Sequence, residues 1–241
     1  MNRQYELDKT LIDAYNYHRS DMYREALECY MAAAELDREN NEIWFEMGSC
    51  LYSMGNYAKS LECGLNSLKL ESSHKKAWFN CGLALSMMDE DERALSFYSE
   101  AIKLDPEYAM AHYARANTYY FSESYAEAIK DYTEAITYLP EFADEREDAY
   151  YYRALCYEKI GSFDFARMDY NRVLRRSPNR YDTIRRRALL SFKEKKYQAA
   201  LKDILRAREI YPASTRLSQI QKKIEVQLER SVSENEAVSF R

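Results

Sequence analysis

The sequence predicts an all-α protein built as a row of helical hairpins, and three observations predict it. Landmarks recur with one period: Trp44 and Trp78 stand 34 positions apart, as do Pro106 and Pro140, and Pro178 and Pro212. Small side chains recur with that same period at three fixed slots. The 241 residues are 46% apolar yet hold only 5 Gly and 4 Pro, too little turn punctuation for a dense β fold, and they lack the Val/Ile-rich runs of a parallel sheet.

Framed on Trp44, the chain reads as six units, 7–40, 41–74, 75–108, 109–142, 147–180 and 181–214, with a four-residue insertion at 143–146. The eighth slot holds Ala14, Gly48, Gly82, Ala116, Ala154 and Ala188, and the twentieth holds Ala26, Ser60, Ala94, Ala128, Ala166 and Ala200. With the twenty-seventh slot (Ala33, Ser67, Ala101, Ala135, Val173, Ala207), 17 of 18 positions are small, where composition alone gives about four. Small residues at matching heights let two helices approach closely, so each unit is predicted to be a tight hairpin. Large rings fill the spaces between hairpins, Tyr30, Tyr98, Tyr132 and Tyr170 in the twenty-fourth slot among them.

The punctuation agrees with the period. All four prolines fall in the thirty-second slot, where a fixed φ and a missing N–H end the second helix. Gly55 and Gly161 fall in the turn within a unit, where a left-handed backbone is needed. After the last unit, Leu217, Ile220, Ile224 and Leu228 recur at helical spacing behind Ser214 and Thr215, predicting a capping helix over 214–230, followed by a polar tail over 231–241. Residues 1–230 are expected to form a single domain.

These residues resemble the tetratricopeptide repeat, with its Trp, Leu-Gly, Tyr, Ala, Phe/Tyr, Ala and Pro slots. Ala77 to Pro106 is the best copy, and the resemblance covers roughly 7–214. It departs locally: Arg38 and Ser72 replace proline, Asp91 and Gly64 replace aromatic residues, and Ser191 breaks the pattern. The resemblance implies a right-handed α-solenoid that works as a protein-interaction scaffold or adaptor.

Composition and motifs exclude several classes. No uncharged stretch approaches the roughly 20 apolar residues of a membrane span, and Met1 to Thr10 is polar rather than signal-like, so a soluble, cytoplasmic protein is expected. Five cysteines without paired short spacing speak against a disulfide framework or a zinc site. There is no glycine-rich phosphate loop, HExxH or nucleophile elbow, and His18, His74 and His112 lie in three different units. No enzymatic chemistry, metal or cofactor is expected.

Recognition remains. The resemblance implies that the second, fifth, sixth, ninth, twelfth and thirteenth slots line a concave groove. The fifth slot reads Leu11, Phe45, Phe79, Tyr113, Tyr151 and Arg185, an aromatic stripe, and neighbouring slots add Tyr15, Tyr52, Tyr120, Phe121, Tyr152 and Phe192, with the amides Asn80 and Asn117. Exposed rings freeze few rotamers and offer large contact areas, so the stripe is expected to anchor a peptide or helix of a partner protein. Replacing Phe79 and Tyr113 with Ala is then expected to weaken capture while leaving helicity and melting largely unchanged.

Co-chaperones of this family grip a C-terminal carboxylate with Lys, Asn and Arg. The corresponding slots here hold Leu11, Tyr15, Glu46, Lys76 and Asn80, one positive charge where the clamp has three, so that activity is disfavoured.

A net charge of −5 conceals an asymmetry: residues 172–208 hold 13 Lys or Arg against 3 Asp or Glu. Arg185 and Arg186 are expected to face the groove and make its C-terminal end positive, with Arg187 turned into the hairpin or its edge. An acidic body disfavours nucleic acid as the partner. Two alternatives stand beside capture of a partner: head-to-tail self-association of acidic N-terminal and basic C-terminal surfaces, and docking of the tail, with Val238 and Phe240, into a groove.

Overall fold

A computed structural model describes the backbone of residues 3–239 and the side chains of residues 3–231. Thirteen helices and no strands occur among the described residues: α1 (Arg3–Arg19), α2 (Tyr23–Leu36), α3 (Asn41–Ser53), α4 (Tyr57–Leu70), α5 (Lys75–Ser86), α6 (Asp91–Leu104), α7 (Ala109–Phe121), α8 (Tyr125–Tyr138), α9 (Asp144–Lys159), α10 (Phe163–Arg176), α11 (Tyr181–Lys193), α12 (Tyr197–Ile210) and α13 (Thr215–Ser239). Each expected unit supplies two helices, and the four prolines stand just beyond the ends of α6, α8, α10 and α12. The chain divides into two compact units, Met1–Ser122 with α1–α7 and Glu123–Arg241 with α8–α13. Within each, every helix packs on its neighbours in chain order, the one-dimensional contact pattern of an α-solenoid.

The small slots do what their size predicts. Ala14, Ala26 and Ala33 are wholly buried, and their counterparts in later repeats are buried too. A Cβ on Gly82 would lie 2.6 Å from the Tyr98 ring, and one on Gly64 would lie 2.4 Å from Cys81 Sγ, so both positions exist to let a neighbour approach the backbone. Tyr98, Tyr132 and Tyr170 are almost completely buried between the helices they join.

Every turn within a hairpin places its fifteenth-slot residue at positive φ. Gly55 and Gly161 sit there as predicted, but Asp21, Asp89, Glu123 and Lys195 adopt the same left-handed conformation with a side chain, at φ of 57–61°. Entry to the first helices is equally repetitive. Trp44 Nε1 donates to the Arg38 carbonyl at 3.0 Å and Trp78 Nε1 to the Ser72 carbonyl at 2.8 Å. His112 occupies the equivalent slot, with Nε2 at 2.9 Å from the Pro106 carbonyl, so this imidazole takes the place of an indole.

A polar ladder runs through the second unit. Arg153 binds Asp169 through two hydrogen bonds of 2.8 and 2.9 Å, and Arg187 binds Asp203 through two of 2.8 and 2.6 Å. Each arginine also donates to a polar residue of the preceding repeat, Thr133 or Asn171. These are the seventh and twenty-third slots, which hold Met47 with Cys63 and Cys81 with Phe97 in the first unit. Arg187 therefore turns into its hairpin, as the sequence reading expects.

The insertion lengthens α9 at its N-terminus, where Asp144, Glu145 and Glu147 complement the helix dipole. Arg176 binds the Phe142 and Ala143 carbonyls, and Arg180 binds Glu147 and Asp148. At the end of the chain Ser214 Oγ accepts from the Leu217 N–H, and α13 buries Leu217 and Ile224 beside Ile184 and Ile204. The α13 backbone then runs to Ser239, so 231–239 continues the helix instead of forming the separate tail expected. The side chain of Val238 and all of Phe240, the tail's expected anchors, lie outside the described residues.

Candidate functional site

The first helices of the first unit (α1, α3, α5 and α7) carry the N-terminal part of the aromatic stripe, and α5 contacts both α3 and α7 directly. The rings are less open than the sequence reading expects, for a reason that repeats. The thirty-fourth-slot residue, which leads into the next first helix, lies over the fifth-slot ring. His74 meets Phe45 edge-on at 4.8 Å, and Tyr108 meets Phe79 at 5.2 Å. Phe45 stays half-buried, but Phe79, which also packs on Tyr98 at 6.0 Å, is only 8% exposed. Phe79 is therefore a core residue, which corrects the expectation that its loss would leave melting largely unchanged.

The open rings stand elsewhere on these helices. Tyr15 is 57% and Phe121 72% exposed, with Phe121 edge-on to the half-buried Tyr120 at 5.3 Å. Tyr113 and Asn117 are half-buried on α7. Asn80 Nδ2 donates to Ser49 Oγ at 3.0 Å, which ties α5 to α3. Glu46 on α3 lies 3.1 Å from His18 Nδ1 on α1. Burial pushes the Glu46 carboxyl above its ordinary range, against the opposing pull of His18 and Lys76.

In the second unit the corresponding helices are α9 and α11. The same covering rule applies: Arg180 lies 4.8 Å over the Tyr151 ring, which also contacts Tyr152 at 5.5 Å and Tyr170 at 6.2 Å. Tyr152 stacks on Tyr132 at 6.2 Å. The positive groove end expected from Arg185 and Arg186 is largely compensated. Arg185 pairs with Asp182 at 3.3 Å. Arg186 is half-buried; burial works against its charge, and Glu158 with the phenolic oxygens of Tyr170 and Tyr151 outweighs that cost and raises its pKa. Tyr170 in turn donates its hydroxyl to Glu158.

An open depression of about 480 Å³ lies where α11 meets α13, with Phe192 and the 39%-exposed Val226 as its apolar part and Lys222 and Lys223 at its edge. The twelfth slot predicts Phe192 in the groove, whereas the spacing over 214–230 predicts only a cap; the adjacent Lys222 and Lys223 ahead of Val226 are the signal that the sequence offers. An apolar hollow edged by ammonium groups suits an aliphatic or aromatic side chain next to a carboxylate. Among the described residues no cluster of His, Cys, Asp and Glu could hold a metal ion, and no helix is long and apolar enough to cross a membrane. The cysteines are free, and burial raises the thiols of Cys50, Cys81 and Cys156 to about 12 and that of Cys63 to about 11.

Family models described as tetratricopeptide repeat match residues 17–65, 75–108, 109–142 and 148–180, together more than half of the chain. No curated protein matches it significantly. Among solved structures it is similar to YrrB, a TPR protein with an unusual peptide-binding site, at 19% identity and a TM-score of 0.71 over 82% of this chain and 99% of that one. A tetratricopeptide repeat protein from Parabacteroides merdae matches at 18% identity and 0.67 over 95% of this chain and 93% of its own. MamA matches at 23% identity and 0.62 over 70% and 91%. At these identities the likeness is one of fold.

Proposed function

This chain belongs to the tetratricopeptide repeat family, and from that premise we propose that it is a non-catalytic scaffold that holds a peptide or helix of a partner protein on its first-helix faces. Proteins of this family mediate protein–protein interactions. The observation that carries the reading is the hollow beside Phe192 and Val226, an apolar floor with Lys222 and Lys223 at its edge. Among the sequence-expected residues, Phe45, Tyr113, Asn117 and Tyr120 remain half-open contact points on the first unit, beside the open rings of Tyr15 and Phe121. That YrrB is a TPR protein with a peptide-binding site is consistent with such use of the fold.

The test is a peptide-array screen read by fluorescence polarisation. Ligands with an apolar residue beside a carboxylate should bind the intact chain, and Val226→Asp with Lys222→Glu should weaken them about tenfold or more without changing the far-UV spectrum. Unchanged binding in that variant, or an array on which no peptide binds, would refute the reading.

Charge asymmetry favours self-association as a second reading: Met1–Ser122 holds 12 Lys or Arg against 20 Asp or Glu, while residues 123–241 hold 23 against 20. Light scattering should then show assemblies that dissolve as salt rises; a monomer at low salt removes this reading.

A further inference from the structure

The second helices of the second unit carry a surface that the first-helix reading does not use. Three adjoining depressions, of about 430, 480 and 620 Å³, follow one another here, the first between α9 and α10 and the other two along α10 and α12. The first and second share Arg172 and Arg175, and the second and third share Arg187 and Arg206.

The charges here divide into two kinds. Arg187 is held by Asp203, Arg176 by Asp144 and the Phe142 carbonyl, and Arg167 by Glu194. Arg172, Arg175, Lys202 and Arg206 have no carboxylate partner among the described residues. Arg172 only lies over the Tyr150 ring, at 5.4 Å, a contact that leaves its N–H groups for another acceptor. Four unpaired cations on two adjacent helices repel one another, and a ligand's carboxylates would relieve that repulsion while forming forked hydrogen bonds.

The floor between the cations is aliphatic. Met168 is 55% and Leu205 44% exposed, and both line the depressions. On α10, Met168, Arg172 and Arg175 follow one another at helical spacing, so apolar and basic groups form one stripe. A phosphate backbone would favour an unbroken basic track with rings for stacking bases. Between its cations this track offers thioether and leucine, and its rings, Phe142 and Tyr150, stand only at the α9 end, where Arg153 and Arg172 already lie over Tyr150.

We propose that the α10–α12 face is a docking site for an acidic, aliphatic-anchored peptide segment of a partner protein, read by Arg172, Arg175, Lys202 and Arg206 around Met168 and Leu205. The site is separate from the first-helix faces and does not rest on ligand capture there.

A fluorescein-labelled peptide of repeating Glu-Glu-Leu tests it by fluorescence polarisation on the full chain at low salt. Binding should weaken about tenfold or more for the Gln-Gln-Leu peptide and for the Arg172→Glu/Arg206→Glu chain, and should fall steeply with salt. Lys103→Gln, an exposed change in the first unit, should leave it unaltered. If charge reversal disturbs folding by circular dichroism, Arg172→Gln/Arg206→Gln carries the comparison. Equal binding by the charge-altered chain or by the Gln peptide would overturn the proposal. So would an oligothymidylate of equal charge binding more tightly than the acidic peptide, which would assign the face to nucleic acid. Sedimentation showing that a second copy of the chain occupies the face and excludes the peptide would also overturn it.

Discussion

The paired Arg153 and Asp169 allow a quantitative test of how the second unit holds together. Their side chains are 13% and 3% exposed, and two parallel hydrogen bonds join them. Burial opposes the Arg153 charge, and Asp169 more than compensates, so the guanidinium pKa stands above its ordinary value. Removing one member of such a pair leaves a buried charge alone and costs about 3–5 kcal/mol. Asp169→Asn should fall at the lower end, because Arg153 keeps the faces of Tyr150 and Tyr157 at 5.4 and 5.9 Å. Arg153→Met should fall at the upper end, because it strands a carboxylate. The first unit carries Met47 with Cys63 in the equivalent slots, so Arg153→Met/Asp169→Cys should fold within about 1 kcal/mol of the parent. Urea unfolding followed by far-UV circular dichroism measures all four corners of the cycle. The single-variant costs should persist in about 1 M salt, since buried pairs are poorly screened. A cost below about 1 kcal/mol for Asp169→Asn, or a double variant as damaged as the two single changes added together, would refute the reasoning.

Three further outcomes follow from burial. Phe79→Ala should destabilise by about 3–5 kcal/mol in the same assay, whereas Phe121→Ala, at 72% exposure, should stay within about 0.5 kcal/mol. Native protein at mildly alkaline pH should give at most one thiol, the half-buried Cys29, to a disulfide reagent, because burial holds the other four as neutral thiols; Cys29→Ser should abolish that reaction, and rapid modification of a second thiol would contradict the packing. Burial raises the Glu46 carboxyl above its ordinary 4.5, so the folded state holds that proton more tightly than the unfolded chain and loses stability as pH climbs past 4.5. Glu46→Gln removes this loss, and its melting temperature relative to the parent should rise as pH climbs past 4.5; a flat difference would refute the upward shift.

Much of the fold is legible because it is periodic. The small slots, the prolines and the spacing of Trp44 and Trp78 place all six hairpins, since a helix pair of fixed length must meet the same packing problem every 34 residues. What escapes the period is the residue that meets a repeated demand by different chemistry. His112 replaces an indole donor with an imidazole, and Asp21, Asp89, Glu123 and Lys195 take up a backbone conformation that only glycine announces. The site is less legible for a related reason. Phe45 and Phe79 share one slot, yet His74 leaves the first half-open while Tyr108 and Tyr98 cover the second. Exposure there is decided by a side chain 29 positions downstream, a contact that slot position does not encode.

The same distinction governs charge. The excess of cations over 172–208 reads as one basic patch, but the fold separates it by direction. Arg187 enters the hairpin to meet Asp203, Arg180 turns back to Glu147 and Asp148, and Arg186 is half-buried near Glu158 and the phenolic oxygens of Tyr151 and Tyr170. Arg187 and Arg180 are matched by acids that the helical frame brings close, and the half-buried Arg186 feels the charge of Glu158, so the three contribute little to the outer field. The surplus is what the frame leaves unmatched. On α10 and α12 that surplus falls at spacings of three to four residues, on Arg172, Arg175, Lys202 and Arg206, which form no ion pair among the described residues. A net charge counted along the chain therefore overstates the recognition potential of the first-helix face, where Arg185 and Arg186 have partners, and understates that of the second-helix face, where Arg172 and Arg206 do not.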